Sequence, residues 1–507
     1  MKFFRTEQIR QIDSATISYE PISSIDLMER AASSLTNAIM KRHGGKKNFF
    51  AIFAGPGNNG GDALAIARML DQLNEKTEVW LISPKNKLSP DCTQNLERLK
   101  NSQICVHICI DKFTLPKLPE NSIIIDGIFG SGLNKPAEGL FAEIIRYINT
   151  TTAKKIAIDI PSGLHGENKN FDTDKIVHAD TTLTLQFPKL SFFIPENDDF
   201  VGKWEILDIG LSNKAIKEQQ SNLYYTVAED ITKMMPTRKK FSHKGDYGHA
   251  LLVAGSQGMA GAATLAAKAT LHSGVGLLSV CTPECNNAIL QISVPEAMTI
   301  TSCGKNHLCK PPATERYTAL AVGPGLGTDI KTEKALLQLI TDCNVPMVLD
   351  ADAINIISKH PEALQQLPAN SIITPHPGEF ARLTKGTKKR EEQLAKATEM
   401  AKSYNICIVL KGAYTTVCTP NGNLYFNSTG NPGMATGGSG DALTGIILAL
   451  LSRGHDATTA ARIAVYIHGL AGDIAAKKYS ETSLTAGDII NALPLAWKTI
   501  EQRDYQM

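Results

Sequence analysis

A glycine-rich segment in the last fifth of the chain has the composition of a phosphate-binding loop. It runs Gly430-Asn-Pro-Gly-Met-Ala-Thr-Gly-Gly-Ser-Gly-Asp441 and stands directly before a helix predicted for Asp441–Ser452. Small residues let backbone N–H groups wrap an anion at a helix N-terminus, where the partial positive charge of the helix adds to the attraction. Asp441, in the first turn, would lie within reach of a substrate hydroxyl beside the phosphate. The segment therefore predicts a site for a transferring phosphoryl group.

Four further loops in the second half of the chain follow predicted strands. They are the segments 254–261, 322–327, 374–379 and 409–415. The glycine turn at 323–327 is a weak pattern by itself, and His376 alone would more often be structural than functional. Because the C-terminal ends of parallel strands share one edge of a sheet, the common placement of these loops favours a single nucleotide site.

The first half of the chain has its own glycine-rich loop, Gly55-Pro-Gly-Asn-Asn-Gly-Gly-Asp62. It follows a strand predicted for Asn48–Ala54 and precedes a helix predicted for Ala63–Leu73. The loop matches neither the G-x-G-x-x-G pattern nor a P-loop. A strand, a glycine-rich turn and a helix N-terminus suit a phosphate or pyrophosphate. The alternative is a tight connection in which Asp62 only caps the helix.

Two more strands of the first half end in a carboxylate. Asp126 is followed by Gly127-Ile-Phe-Gly-Ser-Gly-Leu133, and Asp159 by Ile-Pro-Ser-Gly163. If the strands are parallel, Asn59, Asp126, Asp159 and Ser162 converge at one sheet edge as oxygen ligands and one acid/base group. A single strand-end Asp is more often a cap or turn residue, but three such loops favour a shared site.

The elements that must position these residues alternate between short strands and longer helices, which is typical of parallel α/β architecture. Two amphipathic helices are predicted within Thr6–Met40, and a strand at Thr181–Leu185. The polar stretch Ser212–Asn222 is the best candidate for a linker. We therefore predict two α/β domains, residues 1–222 and 223–507.

The composition excludes several classes of protein. The 507 residues contain 52 Lys plus Arg and 50 Asp plus Glu, so the formal net charge of +2 gives no reason to expect nucleic acid or a membrane as partner. No apolar run is long enough to span a bilayer, and the charged N-terminus does not resemble a signal peptide. Ten cysteines occur without a C-x-x-C pair, as expected for reduced thiols in the cytoplasm.

The first half resembles the YjeF N-terminal family of NAD(P)H-hydrate epimerases, through Asn58–Asp62, Asp126–Gly132 and Asp159–Gly163. The resemblance covers most of residues 1–220 and implies a Rossmann-like three-layer α/β/α domain, with Asp159 as a substrate-contacting acid/base. It also implies a potassium ion near Asn59, Asp126 and Ser162. The other substrate contacts implied are Asn58, Asn59, Gly60, Gly61, Asp62, Gly130, Ser131, Gly132, Leu133, Asn134, Lys135 and Pro136. Ala63 departs from the family pattern, in which we would expect glycine.

The second half resembles the ADP/ATP-dependent NAD(P)H-hydrate dehydratases of the ribokinase-like superfamily, over about residues 225–505. The resemblance implies a ribokinase-like α/β domain, a magnesium ion, and Asp441 as the catalytic Asp. The implied nucleotide contacts are Lys411, Gly412, Ala413, Tyr414, Thr415 and Gly440. The implied substrate contacts are Ala262 or Ala263, together with Gly325, His376 and Asp441. Ser439 stands where many relatives have Thr, which keeps the hydroxyl.

Together the two resemblances imply a cytoplasmic enzyme, expected to be a homo-oligomer, that repairs hydrated NADH and NADPH (NADHX and NADPHX). It would epimerise the R and S hydrates and dehydrate the S form with ADP or ATP. Phosphoryl transfer to the C6 hydroxyl turns a poor leaving group into a good one. Two alternatives stay open: a ribokinase-like vitamin kinase with an accessory dinucleotide-binding domain, and a binding protein whose first half only senses its ligand.

Overall fold

The computed structural model describes residues 1–44, 48–167, 173–235, 238–302 and 304–503, the last without its side chain. These residues form two compact units. The first unit contains residues 3–221, and the second contains residues 1–2 together with residues 222–507. Both units are built on largely parallel sheets, so the predicted two-domain α/β class is confirmed.

The sheet of the first unit has seven strands in the order β4-β3-β2-β5-β6-β7-β8, and every neighbouring pair is parallel. The strands are β2 Phe49–Ala54, β3 Lys76–Ile82, β4 Cys105–Cys109, β5 Ser122–Gly127, β6 Lys154–Ile158, β7 Thr181–Leu185 and β8 Lys203–Leu207. Strands β2, β5 and β6 are neighbours, so the ends that carry the predicted site residues meet at one edge of the sheet.

Helices cover both faces of this sheet, because the side chains of each strand alternate between the two faces. Phe50, Ile52 and Ala54 pack among residues of α2 and α3 on one face, whereas Ala51 and Phe53 pack with residues of α5 on the other. The helices are α1 Thr6–Tyr19, α2 Ser24–His43, α3 Asn58–Gln72, α4 Pro90–Leu99, α5 Leu140–Thr150, α6 Asp198–Val201 and α7 Asn213–Glu218. The predicted three-layer α/β/α arrangement is thus confirmed.

The second unit contains an eleven-stranded sheet in the order β1-β9-β18-β17-β16-β15-β14-β13-β10-β11-β12. Strand β17 is antiparallel to both of its neighbours, while the pairs from β16 to β12 are parallel. The strands are β1 Lys2–Phe3, β9 Leu223–Thr226, β10 His249–Val253, β11 Leu277–Thr282, β12 Met298–Thr301, β13 Ala319–Val322, β14 Met347–Leu349, β15 Ile372–Ile373, β16 Cys407–Leu410, β17 Thr416–Cys418 and β18 Leu424–Asn427.

The core of the second unit lies between this sheet and a group of mostly apolar helices, above all α9, α15 and α16. The α-helices are α8 Ala228–Thr232, α9 Ala260–His272, α10 Glu284–Ser293, α11 Ile330–Asp342, α12 Asp352–Ile357, α13 Pro377–Leu383, α14 Arg390–Tyr404, α15 Ser439–Ser452, α16 Ala457–Lys478 and α17 Ala486–Arg503. Within the described ranges, no helix is both long enough and apolar enough to cross a bilayer.

Three sequence-based expectations need correction. The helix predicted for Ala63–Leu73 begins five residues earlier, at Asn58, so the polar residues of the glycine-rich loop form its first turn. The stretch 212–222, predicted as a linker, contains helix α7, although the boundary between the two units does fall within it, between residues 221 and 222. Strands β1, β4, β9 and β12 were missed, and of these β4 and β12 lie at a sheet edge with partly exposed side chains.

Candidate active sites

The edge where β2, β5 and β6 end carries a cleft of about 560 Å³. Nine of the predicted site residues line it: Asn58, Asn59, Asp62, Gly130, Ser131, Gly132, Leu133, Asn134 and Asp159. The predicted residues Gly60, Gly61, Lys135 and Pro136 are not among its lining residues. The cleft is also lined by residues to which the sequence assigned no role, namely Thr6, Ile9, Arg10, Asp13, Gln186 and Lys189.

The glycines of the first loop allow backbone segments to approach closely. A Cβ at Gly60 would overlap the carbonyl oxygen of Gly55, and a Cβ at Gly55 would overlap that of Ile128. The Ala63 methyl lies where a Cβ of Gly127 would be. The alanine is therefore accommodated because its neighbour on β5 is a glycine, and the departure at this position leaves the helix start intact.

Asp126 and Ser162 form a buried pair beneath the cleft. The Ser162 hydroxyl donates to Asp126 Oδ1 at 2.5 Å, and the Ser162 N–H donates to Oδ2 at 2.7 Å. The same hydroxyl accepts from the Phe129 N–H at 2.8 Å, which ties the loop after β5 to the loop after β6. Burial raises the pKa of Asp126 to about 6, although the hydrogen bonds from Ser162 lower it in part.

Asp159 stands in the left-handed backbone region, with φ at 64°, directly after strand β6. Its Oδ1 accepts a hydrogen bond from Lys189 Nζ at 2.6 Å and lies 3.3 Å from the Thr184 hydroxyl. Lys189 is 2% exposed. A non-glycine residue in this conformation is uncommon, and such strain concentrates at functional sites. The lysine was missed because it follows β7 with no glycine pattern around it.

The second site forms where helix α15 begins. Gly438 precedes the helix with φ at 88°, and a Cβ there would clash with Leu265, so only glycine fits this turn. Gly440 faces the next group of residues: a Cβ on it would lie 3.3 Å from Lys411 Nζ and 3.8 Å from Asp350 Oδ2. The predicted nucleotide contacts Lys411 and Gly440 are therefore brought together.

Lys411 lies between two acidic side chains, Asp350 directly after β14 and Glu379 in the first turn of α13. Its Nζ donates to Asp350 Oδ1 at 2.8 Å and lies 3.8 Å from Glu379 Oε2, while Thr444 donates to Asp350 Oδ2 at 2.7 Å. Burial alone lowers the pKa of Lys411, but the two carboxylates more than offset it, so the pKa is raised overall. Asp350 was missed as a site residue, although it follows strand β14 directly.

Asp441 occupies the first turn of α15, as predicted. Burial, and then the negative charge of Asp350, raise its pKa to about 7, whereas the positive charge of Lys411 lowers it. The carboxyl group is thus adjusted to exchange a proton near neutral pH, which suits a general base for a hydroxyl nucleophile.

The remaining predicted residues of this unit differ in accessibility. His376 is half-exposed and caps α13, since its Nδ1 accepts from the Gly378 N–H at 3.0 Å. Ala262 is partly exposed and lies beside Gly325, whereas Ala263 is fully buried in the core. Of these two alternatives, the structure therefore leaves Ala262 as the one accessible to a substrate.

The loop after β16 holds the other predicted nucleotide contacts. Gly412 and Ala413 are exposed, and Tyr414 and Thr415 are partly exposed. The Thr415 hydroxyl donates to the Gly412 carbonyl at 2.9 Å, which closes the loop into a tight turn. This turn begins at Lys411, so the lysine and the exposed loop form one continuous surface.

Comparisons with known proteins bear on both units. The model of a family described as YjeF-related protein N-terminus matches residues 24–191, and that of a family described as NAD(P)H-hydrate dehydratase matches residues 250–495. A bifunctional NAD(P)H-hydrate repair enzyme from Moorella thermoacetica is 35% identical over 98% of this chain and 96% of its own length. One from Thermofilum pendens is 33% identical over 99% and 97%, respectively.

Among solved structures, the ADP/ATP-dependent NAD(P)H-hydrate dehydratase from Bacillus subtilis, co-crystallised with ATP and Mg²⁺, is 33% identical to this chain. The match covers 56% of this chain and 100% of that protein, with a TM-score of 0.49.

Proposed function

This chain belongs to the family of bifunctional NAD(P)H-hydrate repair enzymes, and we propose that it performs both repair reactions itself. Residues 1–222 would interconvert the R and S forms of hydrated NADH and NADPH. Residues 223–507 would dehydrate the S form at the expense of ADP or ATP. The observation that carries this proposal is the presence of a strand-end site in each unit, each with a lysine beside a buried carboxylate.

In the first cleft, Asp159 would be the acid/base group for epimerisation. Lys189 Nζ donates a hydrogen bond to Asp159 Oδ1, and Asp159 lines the cleft. Epimerisation requires a proton or hydroxyl to leave one face of the hydrated carbon and to return on the other. A carboxylate that lines the substrate cleft can accept and return that proton.

A potassium ion is proposed beneath this cleft. Asp126 is fully buried, and in the described ranges no Lys or Arg forms an ion pair with it. Carboxylate, amide and hydroxyl oxygens from Asp126, Asn59 and Ser162 are the donors that a hard cation prefers. A cation held by these groups would supply the counter-charge that buried Asp126 lacks.

In the second unit, Asp441 would take the proton from the C6 hydroxyl of the hydrate while that oxygen attacks the terminal phosphate. Lys411 and the N–H groups at the start of α15, including that of Gly440, would hold the phosphates. Elimination of phosphate then regenerates NAD(P)H. The remaining proposed contacts are Gly412, Ala413, Tyr414 and Thr415 for the nucleotide, and Ala262, Gly325 and His376 for the substrate.

A magnesium ion bound with the nucleotide would neutralise charge on the phosphates. Among the residues that the structure describes, no group of three or more His, Cys, Asp or Glu side chains is arranged to hold a metal ion. Magnesium often binds through substrate phosphates and only one or two carboxylates, so we propose that it enters the site with the nucleotide. The homo-oligomeric state and the cytoplasmic location stay predictions.

The experiment that tests this function follows a racemic mixture of NADH hydrates in the presence of ADP or ATP. The wild-type chain should consume the whole mixture, because epimerisation supplies the S form as dehydration removes it. Asp159→Asn should stall near half conversion, because the amide keeps the shape but cannot exchange the proton. Asp199→Asn, an exposed change in the same unit, is the matched control and should behave as wild type.

A double variant and an analysis of the reaction products complete this test. Removing Asp159 leaves Lys189 buried without its counter-charge, so the double variant Asp159→Asn/Lys189→Met restores neutrality and should fold while remaining inactive as an epimerase. Completion of the reaction by a folded Asp159→Asn variant at equal enzyme and time would exclude this residue as the acid/base group. Accumulation of a stable phosphorylated product without NADH would instead support a small-molecule kinase.

A further inference from the structure

One face of helix α1 forms part of the wall of the first cleft. Thr6, Ile9, Arg10 and Asp13 all line it, and their spacing of three, four and seven residues places them on one side of the helix. Asp13 and Asp62 are thus two further carboxyl groups in the cleft that contains Asp159, and Asp13 is the one that comes from helix α1.

The charged and titratable groups around Asp13 come from four elements. Arg10 belongs to the same helix, Asp62 to α3, Asp159 follows β6 and Lys189 follows β7. Burial, and then the charge of Asp159, raise the pKa of Asp13 to about 6, while Lys189 lowers it. Burial, and then the charges of Asp159 and Asp13, hold the pKa of Asp62 well above its ordinary value.

Lys189 interacts differently with Asp159 and with Asp13. An ammonium group has three N–H donors, and Lys189 Nζ lies 2.6 Å from Asp159 Oδ1, 2.9 Å from the Thr184 hydroxyl and 3.0 Å from the Phe187 carbonyl. All three donors are therefore used around Asp159. The lysine donates a hydrogen bond directly to Asp159, whereas it acts on Asp13 only through its charge.

We propose that Asp13 is the second acid/base residue of the cleft and works as a pair with Asp159, one residue donating a proton while the other accepts one. This inference rests on the epimerase function proposed above. Two carboxyl groups in environments that favour different protonation states are a common way to supply an acid and a base from one residue type.

In the proposed step, the bond between C6 and the departing oxygen breaks as that oxygen takes the proton of Asp13 and leaves as water. The electron pair on the adjacent ring nitrogen stabilises the resulting cation. A water molecule then forms a new C6–O bond on the opposite face and gives its proton to Asp159. The sum is one water lost and one gained, with the proton moved from Asp13 to Asp159. The reverse epimerisation uses the two residues in exchanged roles.

The test compares Asp13→Asn, Asp13→Glu and the matched control Asp199→Asn in the full chain. With a racemic NADH hydrate and ADP, the fast phase reports dehydration and the slow phase reports epimerisation. Asp13→Asn should lower the slow phase by about 10²- to 10⁴-fold with little change in KM, since general acid–base catalysis contributes that much. The fast phase should be unchanged, and Asp13→Glu should recover part of the slow phase.

The pH profile separates catalysis from a structural role. In the wild type, the epimerisation rate should fall as the pH rises above about 6, because Asp13 loses the proton that it donates. Asp13→Asn should abolish this decline. A folded Asp13→Asn variant that epimerises at the wild-type rate, or that is slow but keeps the same decline, would overturn the inference. If Asp159→Asn is also fully active, the proposed epimerase site itself fails, which is a different result.

Discussion

The substitution Asp441→Asn should remove dehydration and at the same time stabilise the second unit at neutral pH. Asp441 is in the first turn of α15, where the helix dipole favours a negative charge by about 0.3–1 kcal/mol. Its pKa is nevertheless raised to about 7, so burial and the repulsion from Asp350 outweigh that attraction and the attraction of Lys411. The wild-type carboxylate is therefore an unfavourable charge that the proposed function as a base requires.

The sign and size of the effect follow from the pKa. In the folded state Asp441 binds its proton more tightly than in the unfolded chain, so the wild type loses stability as the pH rises from about 4 to about 7. The pKa of Asp441 differs by about 3 between the folded and unfolded states, and each pKa unit corresponds to roughly 1.4 kcal/mol. The gain in the free energy of unfolding therefore has an upper value of about 4 kcal/mol. Partial solvent screening of the side chain reduces the expected gain to about 2–4 kcal/mol. The amide of Asn has no such pH dependence.

The measurement is the free energy of unfolding of both full-length proteins in urea at about pH 4 and about pH 8, with dehydration assayed on the same samples. Asp441→Asn should be more stable than the wild type at the higher pH and nearly equal at the lower pH. The exposed carboxylate of Asp342 provides a matched control, because Asp342→Asn should change neither stability nor activity. Epimerisation should persist in Asp441→Asn, since it belongs to the other unit.

Two results would refute this reasoning. A folded Asp441→Asn variant less stable than the wild type at about pH 8 would show that the carboxylate is favourable in the fold. Loss of epimerisation together with dehydration in a folded variant would contradict the assignment of the two reactions to separate sites.

Two further predictions concern charged side chains that are proposed to bind a ligand, Lys411 for the nucleotide and Asp126 for potassium. Lys411→Ala should weaken ADP and ATP binding by about 10- to 100-fold, as expected for a lost charge-assisted hydrogen bond, and should affect hydrate binding less; calorimetric titration with unchanged nucleotide affinity would contradict it. Asp126→Asn keeps an oxygen ligand and loses only the charge, so epimerisation should fall and be partly restored by potassium added above the level that saturates the wild type. Equal rescue by sodium at the same ionic strength, or activity independent of potassium in both proteins, would count against a potassium site.

The parts of the fold that could be predicted are those in which a local pattern and its burial agree. The strand Thr181–Leu185 has the bounds expected from sequence, because it is a short, largely buried run of β-branched and apolar residues. Cys105–Cys109 and Met298–Thr301 were missed because they are edge strands. Each pairs with a single neighbouring strand, and most of its side chains are partly or fully exposed. Their apolar signal is too weak to stand out from a loop.

The site shows the same division between local and tertiary information. Asp126, Asp159 and Asp441 could be found because each accompanies a glycine-rich loop at the end of a strand or the start of a helix. Lys189 and Asp350 have no such pattern. Their roles depend on contacts with residues 30 and 61 positions away, which only the folded chain brings together.

The two lysines that pair with strand-end carboxylates also show why similar ion pairs should have different roles. The Lys189 side chain is 2% exposed, and its three donors all contact protein acceptors around Asp159. It has no donor left for a ligand, so it is a positioning residue for the carboxylate. The Lys411 side chain is 20% exposed, lies beside Gly440 at the start of α15, and has one short contact, to Asp350. Because a lysine that binds phosphate must reach the ligand directly, only the second pair is suited to hold the nucleotide.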